Sequence, residues 1–367
     1  MNKLHIHTLE DLTKITPIIT HLILEYKFNR IIKRGVLPHS LTHLTLSGKF
    51  NQRINKGVLP NSLTHLTFGD RFNQQIKKNV LPESLTHLTF GERFNRQIKQ
   101  NVLPKLLTHL TLGREFNQPI GKGVLPESLT HLTFGTYFNK NIEKGDRDKL
   151  NSSLSVLPDL LTHLVFGWKF NQKIEKGTLP EALTHLTFDY EFNQKIEKGT
   201  LPESLTHLTF GEEFNQKIEK EVLPEALTHL TFGFYFNHKI EKGVLSNSLT
   251  HLTFGHDFIQ KIEKGTLPES LTHLTFGWNF NQDIEYIIWP RSLKSITFGV
   301  KFNYPVDFLF EGLISIKIFN QKYEHTLYNL PSSIKKIFLK KDLKNIDIIP
   351  FELQDKVTYT KKYWYDE

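Results

Sequence analysis

One side chain able to do acid–base or metal chemistry recurs on a fixed beat. A Thr-His pair ends at His21, His43, His65, His87, His109 and His131, and again at His163, His185, His207, His229, His251 and His273, spaced 22 residues apart inside each run. Imidazole titrates near ~6.5 and ligates metals as the neutral base. A row of them could be a metal array, a proton-responsive surface or a contact ladder. A zinc site needs three or four converging ligands, themselves oriented by outer hydrogen bonds, and the flanking positions supply only Thr. The chain has no cysteine, so it has no thiolate ligand, thiol nucleophile or disulfide. No acid shares the His positions, and no Gly-rich phosphate loop opens a helix. Ser62, Ser84, Ser128 and Ser204 precede the His unit after unit, which marks a turn residue and not a nucleophile. No catalytic residue, metal or cofactor is assigned, and the chain reads as non-enzymatic.

The surrounding pattern says what positions the imidazoles. In the unit beginning at Leu63, the residues Leu63, Leu66 and Phe68 follow Leu-x-x-Leu-x-Leu, the strand signature of leucine-rich repeats. Alternation along a strand sends Leu66 and Phe68 inward and His65 and Thr67 to the opposite face. Gly69 ends the strand; Phe72 and Ile76 return to the core, and Leu81-Pro82 leads into the next strand. Proline lacks an N–H and has a fixed φ, so little room is left for a helix between Gly69 and Pro82. One such unit cannot offset its own chain entropy, and stacking must supply the missing burial. The predicted fold is a β-rich solenoid, leucine-rich-repeat-like. A parallel sheet lines its concave face and the convex face is mostly non-helical, with fifteen or sixteen turns of 22 residues.

Residues 1–18 read as an N-terminal cap, 19–306 as repeats, and 307–367 as degenerate repeats with a C-terminal cap. The first strand is expected at Ile19–Leu24. A polar insertion, 146–155, reads as a surface loop, since added loop length is entropically cheap. Further strands are expected at Leu313–Ile318, Ile334–Leu339 and Leu353–Tyr359, with the tail through Tyr363, Trp364 and Tyr365 closing the stack. The Phe column from Phe28 to Phe302 is unbroken and reads as core. The Asn column behind it fails once, at Ile259. Buried amides there would bond backbone groups of neighbouring turns, so one rung should be missing.

The net charge is +8. The excess sits toward the ends, at Lys27, Arg30, Lys33, Arg34, Lys49, Arg53 and Lys56, and at Lys335, Lys336, Lys340, Lys341 and Lys344. This can steer acidic partners but is not the basic stripe of a dedicated nucleic-acid binder. No signal peptide and no apolar run of membrane-spanning length is visible. A soluble, intracellular, cytoplasmic monomer is the expectation, with no membrane partner and with nucleic acid kept only as part of the second reading, an acidic polymer.

Phe-Asn-Gln-x-Ile joined to Leu-Pro-x-Ser-Leu-x-x-Leu-Thr-Phe-Gly is carried in one unit by Phe72, Asn73, Gln74, Ile76, Leu81, Pro82, Ser84, Leu85, Leu88, Phe90 and Gly91. This motif resembles the FNIP repeat, a relative of the leucine-rich repeat, and the resemblance covers roughly residues 19–306. It implies a leucine-rich-repeat-like solenoid and a protein-interaction role, with no catalytic residues.

Binding positions should be those that vary while the frame repeats. The pairs after the strand glycine are Asp70-Arg71, Glu92-Arg93, Arg114-Glu115, Thr136-Tyr137, Trp168-Lys169, Glu212-Glu213, Phe234-Tyr235, His256-Asp257 and Trp278-Asn279; Tyr190-Glu191 follows Asp189. They should line one rim of the sheet face. Aromatics gather from Tyr137 onward, and exposed aromatics are common interface anchors. The candidate partner-binding set is therefore Tyr137, Trp168, Tyr190, Phe234, Tyr235 and Trp278, with the ladder His65, His87, His109, His131, His163, His185, His207, His229, His251 and His273. The expected partner is an unidentified protein; the alternative is an acidic polymer held by the basic ends and the ladder.

Overall fold

The computed structural model describes residues 2–6, 15–25, 27–142, 156–341, 343 and 346–360. The insertion 146–155 and the tail residues Tyr363, Trp364 and Tyr365 lie outside them. The chain divides into two compact units, Met1–Asp189 and Tyr190–Glu367.

The first unit is a ladder of parallel strands: β1 (Lys3–Ile6), β2 (His21–Leu24), β3 (His43–Thr45), β4 (His65–Thr67), β5 (His87–Thr89), β6 (His109–Thr111), β7 (His131–Thr133), β8 (His163–Phe166) and β9 (His185–Phe188). Each pairs with its neighbour in sequence, and from β2 onward His faces His and Leu faces Leu. β7 and β8 keep this register, His131 to His163, although more than one period separates them. The inserted residues are thus accommodated without shifting the sheet.

The second unit holds β10 (His207–Thr209), β11 (His229–Thr231), β12 (His251–Thr253), β13 (His273–Thr275), β14 (Ser295–Phe298), β15 (Ser315–Ile318), β16 (Lys336–Lys340) and β17 (Val357–Thr360). These are parallel in sequence order as well. Where Ser295 replaces histidine, Ile296 keeps the register opposite Leu274.

The alternation is as the pattern requires. In β4 the order is half-buried His65, buried Leu66 and half-buried Thr67. Phe68 and Phe72 stack inside, centroids 4.0 Å apart, and Phe72 faces Phe94 of the next turn at 6.1 Å. Each such buried side chain contributes about 1.5–3 kcal/mol. The recurrent serine does serve the turn: Ser84 Oγ donates to the Leu63 carbonyl at 2.7 Å. Between Phe72 and Val80 the chain is extended and turned, with no helix.

The Asn column bonds across turns, as Asn73 N–H to Asn51 Oδ1 at 2.9 Å and Asn95 N–H to Asn73 Oδ1 at 3.1 Å. These amides are only half-buried, because they cap the outer surface of the turn and do not enter the core. Ile259 N–H still donates to Asn237 Oδ1 at 3.1 Å, but Ile259 has no side-chain acceptor to offer the next turn. Two expectations need correction. The N-terminal segment contributes a strand, β1, whose Leu4 and Ile6 register with Leu22 and Leu24. The stretch from Leu353 is not all strand: Phe351–Lys356 is a 3₁₀ helix, and β17 begins only at Val357.

Candidate functional site: the histidine face and its rim

The ladder is built by the strand that carries it. Thr64 Oγ donates to the carbonyl of Thr42, one turn earlier, at 3.1 Å, and lies 2.9 Å from Nδ1 of His65. The same pair of contacts recurs at Thr86, Thr108, Thr130 and Thr162. In the second unit it recurs at Thr228, Thr250 and Thr272. The Thr42 carbonyl already accepts the backbone N–H groups of Thr64 and His65 at 2.9 and 3.0 Å. The Thr64 hydroxyl thus sits between that carbonyl and the imidazole, and this bridge pins each ring to its strand along the row.

The rings stack face to face. Centroids are 4.0 Å apart for His21 and His43, and 4.1 Å for each neighbouring pair from His43 to His163. In the second unit the spacings are 4.1, 4.2 and 4.3 Å from His207 to His273. Charging one ring disfavours charging the next. Burial first, and neighbouring imidazoles second, push His65 and His131 down to about 4 and lower His43, His87, His163 and His251. His273 is lowered by burial and by Lys317. At neutral pH these rings are neutral. Beside them runs a second outward column, Thr45, Thr67, Thr89, Thr111 and Thr133, whose hydroxyls make no hydrogen bond among the described residues. No group of three metal-ligating side chains occurs among the described residues.

The rim continues the ladder past the strands. Arg93 N–H donates to the Asp70 carbonyl at 2.8 Å, Glu115 to Glu92 at 2.7 Å, Tyr137 to Arg114 at 2.9 Å and Lys169 to Thr136 at 2.8 Å. Gly91, Gly113 and Gly135 permit this approach, since a Cβ at Gly135 would lie 1.9 Å from the Gly113 carbonyl oxygen. Tyr137 is therefore held by its own backbone bond, and Trp168 by the bond of the adjoining Lys169. Tyr137 and Trp168 occupy consecutive turns of the first unit and are 40% and 42% exposed. The Arg114 guanidinium lies over the Tyr137 ring, 5.6 Å from its centre.

In the second unit the rim aromatics are tied together. Phe234 stacks on His256 at 4.0 Å, and His256 on Trp278 at 5.6 Å, while Phe234 meets Tyr235 edge-on at 4.8 Å. His256 Nδ1 lies 2.6 Å from Asp257 Oδ1, which also accepts from Asn279 Nδ2 at 2.9 Å. Sequence reading placed His256, Asp257 and Asn279 on the rim but did not single them out. The signal was there: an imidazole between aromatics at the same repeat position.

No helix among the described residues is long and apolar enough to cross a membrane. The FNIP repeat family matches at residues 12–49, 50–93, 72–115, 94–137, 116–146, 151–191, 192–235, 236–277 and 258–301. Among solved structures, CroV588, a circular leucine-rich-repeat protein, is 44% identical with a TM-score of 0.68 over 94% of this chain. The present chain spans 57% of that protein's length. YopM from Yersinia enterocolitica is 21% identical, TM-score 0.50, over 88% of this chain and 73% of its own, a likeness of fold alone. No curated protein matches. With its matched repeats covering most of its length and its strands in the register described, the chain belongs to the FNIP repeat family.

Proposed function

We propose that this chain is a non-enzymatic scaffold that binds a protein partner through the His/Thr sheet face and its aromatic rim. Residues 19–306 form the binding body, and the segments on either side cap it. The observation that carries this reading is the rim itself. Tyr137 and Trp168 are large and exposed, Tyr137 is held by its own backbone hydrogen bond and Trp168 precedes Lys169, which is held by one, the condition under which an aromatic anchor costs little to order on binding. The acidic-polymer reading draws less support, because the imidazoles present lone pairs and not charge at neutral pH. The test is affinity capture from native cells with quantitative mass spectrometry. Trp168→Ala and Trp278→Ala should each lower recovery of a specific interactor more than Arg71→Ala does. Equal recovery by all three variants would remove the rim from the site.

A further inference from the structure

The second unit carries a chemical asymmetry that narrows its partner. Its rim runs in two columns. Tyr190, Glu212, Phe234, His256 and Trp278 form one, and Glu191, Glu213, Tyr235, Asp257 and Asn279 the other. The backbone bonds Glu213 N–H to Tyr190, Tyr235 to Glu212, Asp257 to Phe234 and Asn279 to His256 set them, at 2.8–2.9 Å. The acids Glu191, Glu212, Glu213 and Asp257 thus stand among the aromatics Tyr190, Phe234, Tyr235 and Trp278.

The acids on the other side of the turn are neutralised. Lys217 pairs with Glu219 at 3.4 Å and Glu241 at 3.2 Å, and Lys239 with Glu263 at 2.6 Å. Glu212 and Glu213 pair with no lysine or arginine among the described residues. The field they make is felt nearby. Burial first, then Tyr235 and the carboxylates of Glu213, Glu212 and Glu191, raise the Tyr190 phenol above its ordinary range.

The sheet face beside this rim adds no opposing charge. Thr250 and Thr272 bridge His251 and His273 to the strand, and both rings, lowered mainly by burial, are neutral at pH 7. The rim itself offers carboxylates that accept, so an acidic segment would meet repulsion. A guanidinium suits both of the rim's components: its planar fork donates bidentately to carboxylate, and its face stacks on Tyr, Phe or Trp.

Building on the scaffold reading, we propose that the His face of the second unit and its acid–aromatic rim bind a basic segment of the partner protein, recognised through arginine side chains. The chain's own net charge of +8 argues against unspecific attraction of a basic peptide, so binding must come from this local surface.

Blocked oligo-arginine, oligo-lysine and oligo-glutamate peptides of equal length are titrated into the full chain at pH 7 by calorimetry. Oligo-arginine should bind, oligo-lysine more weakly, and oligo-glutamate not at all. The double variant Glu212→Gln/Glu213→Gln should weaken oligo-arginine about tenfold. Glu219→Gln/Glu241→Gln, on the lysine-paired side, should leave it unchanged. Equal loss in both double variants, preference for oligo-glutamate, or no peptide binding would overturn the proposal. If no peptide binds while Trp168→Ala still lowers partner capture, the scaffold reading stands and this one falls. If peptide binding follows the carboxylates while capture ignores the tryptophans, the reverse holds.

Discussion

Thr64 and His65 are tied to one another and to the turn before them. The Thr64 hydroxyl lies 3.1 Å from the Thr42 carbonyl and 2.9 Å from His65 Nδ1. Repeated up the sheet, this bridge holds each imidazole in the stack through the threonine that precedes it.

That coupling can be broken at one rung. In Thr86→Val the Thr64 carbonyl and His87 Nδ1 both lose the bridging hydroxyl. The fold should survive with a loss of about 1–2 kcal/mol. Nitrogen NMR should show the tautomer balance of His87 alone changing while His43 and His131 keep theirs. An unchanged His87 signal would mean that ring stacking, and not the hydroxyl, sets the tautomer.

Buried hydroxyls elsewhere in the repeat work against stability. Thr178, Thr200 and Thr266 are 0%, 3% and 3% exposed, and their Oγ atoms have no partner. Val80, Val102, Val124, Val222 and Val244 fill the same repeat position, buried. Each of Thr178→Val, Thr200→Val and Thr266→Val should therefore stabilise by roughly 1 kcal/mol, since an unsatisfied buried hydroxyl is replaced by a methyl of the same shape. Denaturant melts that move the other way would reveal an ordered water at these hydroxyls.

Two classes of glycine should respond differently to alanine. A Cβ on Gly135 would sit 1.9 Å from the Gly113 carbonyl oxygen, a backbone atom that cannot step aside. Gly177 has φ +79° and nothing within 4 Å of the added carbon. Gly177→Ala should cost about 1–2 kcal/mol, the left-handed penalty alone. Gly135→Ala should cost more, with strain added to the loss of the Tyr137–Arg114 backbone bond. Equal melting temperatures for the two variants would contradict the close approach.

The columns were legible because a fixed period turns sequence position into spatial position. Leu66 inward, His65 outward and the rim pairs beyond the strand all follow from one repeat and the strand's two-residue alternation. β1 escaped because Lys3–Ile6 lacks the Thr-His-Leu signature, although Leu4 and Ile6 alternate as a strand should. The 3₁₀ turn at Phe351–Lys356 escaped because the period has decayed there. The hydroxyl bridge was not legible at all, since it requires the distance between Thr64 and Thr42 in adjacent turns. The lack of an ion-pair partner at Glu212 was hidden for a similar reason, since the repeat places lysines on the other side of the turn in equal number.

The lowered imidazoles make stability depend on pH in one direction. His65 and His131 titrate at about 4 in the folded chain and near ~6.5 when unfolded. Between those values the unfolded chain binds more protons, so acid favours unfolding. The stabilisation is fully present above about 6.5. It falls as pH drops toward 4, and it falls gradually, because stacked rings titrate as a coupled set. Thermal melts should therefore be flat from pH 8 to 7 and decline steadily from pH 6.5 to 4.5. Proton NMR should show broad transitions for His65 and His131, lower than for an isolated imidazole. The folded face gains charge only as pH approaches about 4, so affinity for a basic peptide should hold through the upper part of this interval and fall after stability does. A ladder that titrated sharply near 6.5, with melts insensitive to pH, would show that the rings are solvated singly and that the stack does not persist in solution.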